Sequence, residues 1–147
     1  MRRFVLATLT ATLLATGASA EALIKKESAN DVQTTLDRIE AAVTKNGGKV
    51  FYRIDHAAAA AEYDKEMPPA QVLIFGNPAN GTGLMKKHPQ VSVDLPLKVG
   101  AFEDADGKVT LIYRNPPDFM ADHGVEGPGD GIAKMLDKLT SMAVSAP

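Results

Sequence analysis

VSVDLPLKVGAFEDADGKVTLIYR, residues Val91–Arg114, is the stretch whose reading decides the fold. Val91, Val93, Leu95, Leu97, Val99 and Ala101 are apolar at every second position, with Ser92, Asp94, Pro96, Lys98 and Gly100 between them. Successive strand side chains point to opposite faces, so the alternation predicts a half-buried strand, at least over Leu95–Phe102. Pro96 has no N–H for a ladder, which places it at an edge or a bend. Asp104-Ala105-Asp106-Gly107 then reads as a hairpin turn, with Gly107 suited to a positive φ. Lys108–Arg114 returns as the partner strand, with Val109, Leu111 and Tyr113 on one face. One face of such a hairpin needs an apolar cover, and the flanking sequence supplies it.

Towards the amino end, Val32, Leu36, Ile39 and Val43 recur at spacings of four, three and four, one face of an amphipathic helix. Ser28 or Asn30 offers a side-chain oxygen for its first turn, and Gly47-Gly48 ends it. Leu23–Lys26 reads as a short strand and Val50–Asp55 as a longer one. Ala57–Lys65 begins with five alanines and reads as a short helix, stopped by Met67-Pro68-Pro69. Val72-Leu73-Ile74-Phe75 is continuously apolar, so Gln71–Phe75 is expected as a strand buried on both faces. Gly76–Gly83 reads as a loop, with a helical turn at Leu84–His88.

Beyond the hairpin, Asn115-Pro116-Pro117 breaks the strand, and Asp118–His123 reads as a helical turn. Gly124–Gly131 is expected as a connecting loop. Asp130 then caps a last helix whose apolar stripe is Ile132, Met135, Leu136, Leu139 and Met142. No repeat or linker divides the chain. The expectation is a single α+β domain: a mainly antiparallel sheet of about five strands, two principal helices and short helical turns.

The first twenty residues have a different character. Arg2-Arg3, an apolar run from Phe4 to Ala15 and the small-residue ending Gly17-Ala18-Ser19-Ala20 read as a secretory signal peptide. Cleavage after Ala20 leaves residues 21–147 as the domain and places it in the periplasm or outside the cell. Removing Arg2 and Arg3 from 16 basic residues leaves 14 against 18 acidic ones, a net of −4. That balance argues against nucleic acid as a partner. No other apolar run has the length of a membrane span, so none is expected after cleavage. The absence of cysteine excludes thiol nucleophiles, Cys-ligated zinc, iron–sulfur clusters and covalently attached haem.

Five separated segments carry a resemblance. Ile54-Asp55-His56-Ala57-Ala58-Ala59-Ala60, Leu73-Ile74-Phe75-Gly76-Asn77-Pro78, Asp94-Leu95-Pro96-Leu97, Asp106-Gly107-Lys108-Val109 and Tyr113-Arg114-Asn115-Pro116 stand in this order. Together they resemble the bacterial family called domain of unknown function 302, over residues 30–123 and on into the last helix. The resemblance implies an α+β fold with an antiparallel sheet and flanking helices, and leaves a homodimer open. It implies no reaction.

The chemistry-bearing residues are few. Asp55-His56 stands where a strand gives way to a helix, where side chains can converge on a cleft. His56 can act there as ligand or base; the plainer role is for Asp55 to cap the alanine helix. Gly76–Gly83 lacks the Lys and Ser/Thr of a nucleotide loop; its N–H groups can hold a small anion with Lys86 and Lys87 nearby, which makes Asn77 a ligand-binding candidate, and the plainer role is a proline-containing turn. Asp94 is the fourth ligand-binding candidate. His56, His88 and His123 are candidate metal ligands, although their separations of 32 and 35 residues match no ligand motif. Met135 and Met142 fall on the expected core stripe, where methionine fills gaps. The resulting expectation is a binding module for a small ligand or a protein partner. The alternative is a metal-assisted enzyme using His56 with His88 or His123. No cofactor is assigned.

Overall fold

In the computed structural model, which describes residues 23–146, the elements run β1 (Leu23–Ser28), α1 (Val32–Lys45), β2 (Lys49–Asp55), α2 (His56–Ala61), β3 (Ala70–Gly76), α3 (Pro78–Lys87), a 3₁₀ turn (Pro89–Val93), β4 (Leu97–Glu103), β5 (Val109–Arg114), α4 (Pro116–Asp122) and α5 (Pro128–Val144). The expected signal peptide lies outside the described residues. Asp104 makes the β4–β5 hairpin: its Oδ1 accepts from the N–H groups of Asp106 and Lys108, both at 2.9 Å. Gly107 takes φ 77° and donates to the Asp104 carbonyl at 3.0 Å. From this hairpin the sheet grows both ways, in the order β1-β5-β4-β3-β2, with every pairing antiparallel. The α+β class and the five strands are as the sequence predicts.

Helices α1 and α5 pack on one face of this sheet and on each other. Leu36 and Ile39 of α1 are fully buried, as are Leu73, Val99 and Leu111 of the sheet and nearly all of Leu136 of α5. Each such side chain contributes about 1.5–3 kcal/mol on leaving water. Two buried threonines keep their hydroxyls bonded within the helices: Thr35 to the Asp31 carbonyl and Thr140 to the Leu136 carbonyl, each at 2.7 Å. Asn30 ties the start of α1 to the end of α5, donating to the carbonyls of Ala143 and Ser145 at 3.1 and 2.9 Å.

Four local expectations need correction. The cap of α1 is Asp31, which accepts from the Thr34 N–H at 2.6 Å, while Ser28 and Asn30 bond elsewhere. In β3, buried Gln71, Leu73 and Phe75 alternate with half-buried neighbours, because helices cover only one face. Residues 89–93 wind into the 3₁₀ turn, so the regular alternation becomes a strand only after Pro96. Pro96 marks its start, and β4 itself lies in the middle of the sheet. Finally, α5 begins at Pro128, after Gly127 at φ 92°, and Asp130 lies inside its first turn with no capping bond.

Candidate functional site

The segment expected as a loop after β3 is α3. Asn77 starts it by accepting from the Ala79 N–H at 3.0 Å, and Pro78 supplies a helical φ at the first position. Thr82 bonds back to the Pro78 carbonyl at 2.7 Å. Gly81 and Gly83 each weaken a helix by about 1 kcal/mol relative to alanine, so α3 depends on its cap and its neighbours. None of its residues is fully buried. It stands off the core as one wall of a groove.

That groove has a volume of about 1420 Å³. Its floor includes Phe75 and Leu97 of the sheet and Val43 of α1. Leu84 and Met85 come from α3, and Ile132, Met135, Leu139 and Met142 come from α5. The stripe expected as core on α5 is therefore divided. Leu136 and Ala143 face the interior, whereas Met135 and Met142 stay 44% and 39% exposed on the groove side. Two apolar residues at that exposure, beside partly buried Leu139 and Ile132, form a continuous apolar wall. Lys87, His88, Lys138 and Glu126 are the ionisable side chains of the lining.

The structure separates the candidate residues. Asn77 and His88 line the groove. Asp55 does not: its Oδ1 caps α2 through the Ala58 N–H, and its Oδ2 accepts from Gln71 Nε2, both at 2.9 Å. Gln71 in turn accepts from Arg53 Nε at 2.9 Å, which makes Asp55 part of a structural network. A smaller cavity of about 390 Å³ beside Asp55 shares no lining residue with the groove. His56 is the first residue of α2, a helix with no buried residue.

Asp94 follows the 3₁₀ turn and is held by Arg114 of β5 and by His123 after α4, whose Nε2 lies 2.7 Å from Asp94 Oδ2. Arg114 also reaches Asp122 at 3.2 Å and stacks over Phe119, 5.6 Å from its ring centre. This cluster joins three segments, the end of the 3₁₀ turn, β5 and the end of α4. Asp94 does not line the groove, although Ser92 and Leu95 on either side of it do. His56, His88 and His123 thus serve three different places. Among the described residues, no three His, Cys, Asp or Glu side chains are grouped to hold a metal ion. Long separations in sequence brought His123 to Asp94, and no motif announces such a meeting.

Of the groove residues, Met135 and Met142 are expected in the core from sequence, and Met85 and Lys138 carry no expectation. Their one sequence signal is that Met135 and Met142 lie two helical turns apart with Lys138 between them.

A family model described as "Domain of unknown function DUF302" matches residues 24–143. Over 94 residues the chain is 42% identical to Fluoride-specific ion channel FluC 1 of Brucella suis biovar 1 (strain 1330), a match that takes in 64% of this chain and 37% of that protein. Fluoride-specific ion channel FluC 2 of Brucella melitensis biotype 1 matches equally, with 35% of its length covered. The chain therefore spans little more than a third of the curated relatives it matches. Among solved structures, an uncharacterized conserved DUF302 protein from Bacillus stearothermophilus aligns at TM-score 0.68 and 16% identity, covering 85% of this chain and 97% of that one. This last likeness establishes the shared fold.

Proposed function

The chain belongs to the family of the domain of unknown function DUF302, and on that premise we propose that it is an exported binding module for a small apolar ligand, with the groove between α1, α3 and α5 as its site. The observation that carries this reading is the exposed methionine wall. Met135 and Met142 face the groove although α5 has a core to cover. Flexible, polarizable methionines suit surfaces that repack around varied apolar partners. The basic and apolar leader at residues 1–20 supports export, to the periplasm or beyond. Among the described residues no helix is long and apolar enough to cross a membrane.

The Brucella relatives suggest fluoride as a second ligand to test. A small, strongly hydrated anion needs several donors converging on one point, whereas this groove of about 1420 Å³ has mostly apolar walls, so the apolar ligand is favoured. Titration with Nile red, an uncharged dye that brightens in apolar surroundings, tests the reading. Saturable one-to-one binding is expected. Met135→Glu with Met142→Glu should weaken it more than about tenfold, because losing about 2 kcal/mol of apolar contact corresponds to that factor. Both positions are already exposed, so circular dichroism should show an unchanged fold. Absence of saturable binding to the unaltered protein would falsify the groove as a ligand site.

A further inference from the structure

We infer that the groove selects a long single-chain amphiphile with an anionic head, of the long-chain carboxylate class; this rests on the groove being the ligand site. Three observations carry the inference. First, about 1420 Å³ exceeds the roughly 300–1,000 Å³ typical of sites for drug-sized molecules. An extended chain fills such a space better than a compact ring system. Second, the apolar walls stand on opposing elements, Leu84 and Met85 on α3 and Met135, Leu139 and Met142 on α5. A tail between them is covered from both sides.

Third, the lining carries a net positive charge. The lining holds two lysines, Lys87 and Lys138, and one carboxylate, Glu126, and His88 adds a further nitrogen base. The chain as a whole carries the opposite balance, with 18 acidic residues against 16 basic ones. The lining is thus a local excess of positive charge on an acidic protein. Neither lysine has a carboxylate partner among the described residues. Lys87 also suits the carboxyl end of α3, where a cation offsets the helix dipole. Lys138 lies in the middle of α5 and has no such role. A headgroup that completes these cations is an anion, and the adjoining walls require an apolar tail on it.

The experiment is calorimetric titration of the purified protein with laurate, dodecanol and dodecyltrimethylammonium, each below its aggregation concentration. Laurate is expected to bind at least about threefold more tightly than either chain-matched competitor, the scale of one or two exposed charge contacts. Extending the carboxylate from ten to fourteen carbons should tighten binding by up to about fourfold per methylene. Lys87→Gln with Lys138→Gln should remove the preference for laurate over the cationic amphiphile. Two results overturn the inference while leaving the groove as a ligand site: equal binding of all three heads with Nile red still bound, or displacement of Nile red only by an amphipathic peptide. Silence with every amphiphile and with Nile red removes both readings.

Discussion

Gly129 offers the sharpest test of the packing that sets the α5 wall of the groove. It is the second residue of α5, and it lies against the backbone of Pro116-Pro117 at the start of α4. A Cβ added there would sit 2.7 Å from Pro117 Cα, 3.0 Å from Pro117 N and 3.2 Å from Pro116 C. All three are backbone atoms, and two adjoining proline rings restrict their movement. Overpacking of this kind costs about 1–3 kcal/mol. Alanine's better helix propensity returns at most about 1 kcal/mol. Gly129→Ala should therefore destabilise the protein by about 1–2 kcal/mol. At Gly131, two residues on, an added Cβ would meet nothing within 4 Å, and the backbone there has no positive φ. Gly131→Ala should stabilise by about 0.4–1 kcal/mol. Urea unfolding followed by circular dichroism separates the two. With a slope of about 1–3 kcal/mol per molar, their midpoints should differ by about 0.5–3 M, with Gly129→Ala lower. Equal midpoints, or the reverse order, would refute the close-approach argument.

Two further perturbations probe the opposite end of the sheet. The Thr34 backbone N–H beside Asp31 holds its carboxyl below the ordinary value of 3.8. A depressed carboxylate contributes stability above its unfolded value, and that contribution is lost as pH falls through the folded one. Asp31→Ala should thus cost about 0.5–2 kcal/mol near neutral pH, and thermal melts should show the gap to the unaltered protein closing as pH is lowered past the carboxylate range. Gln71 is 9% exposed and joins Arg53, Gln33 and Asp55 by hydrogen bonds of 2.9, 3.2 and 2.9 Å. Gln71→Met keeps most of the volume but leaves those partners short, so calorimetry should register a loss of about 1–3 kcal/mol, and a neutral result would mean that water replaces the amide.

The parts of the fold that are readable from sequence depend on local periodicity. Val32, Leu36, Ile39 and Val43 are all buried, because a spacing of three and four residues can serve only one helical face. The Asp104–Gly107 turn is equally plain, since its geometry depends on an aspartate and a glycine within four residues. Local composition misleads at residues 78–87. Pro78, Asn80, Gly81 and Gly83 describe a loop, and a cap at Asn77 with tertiary neighbours makes them a helix. Alternation misleads at Val91 and Val93 for the converse reason. Val91 is fully buried while Val93 is 72% exposed, so two residues matching in pattern do not share a face once Pro89 starts a 3₁₀ turn. The meeting of Asp94, Arg114 and His123 spans 29 residues, and no window of sequence contains its cause.

The candidate site is hidden by a different effect. A periodic stripe states which residues share a helix face, and it is silent on how far the opposing surface extends. On α5 the stripe Ile132, Met135, Leu136, Leu139 and Met142 is wider than the sheet and α1 can cover. Leu136 reaches the core, and Met135 and Met142 pass its edge. In a helix with no function beyond packing, selection for solubility would place polar residues at that edge. Methionine there lowers solubility and leaves about two fifths of each residue in water, so its presence is explained when a ligand supplies the missing cover. The same reasoning applies to Lys138, which stands between the two methionines rather than on the outer face. An apolar strip with a cation set into it matches an amphiphile's tail and head, and a chain seated there would bury the methionines and neutralise the lysine in one step.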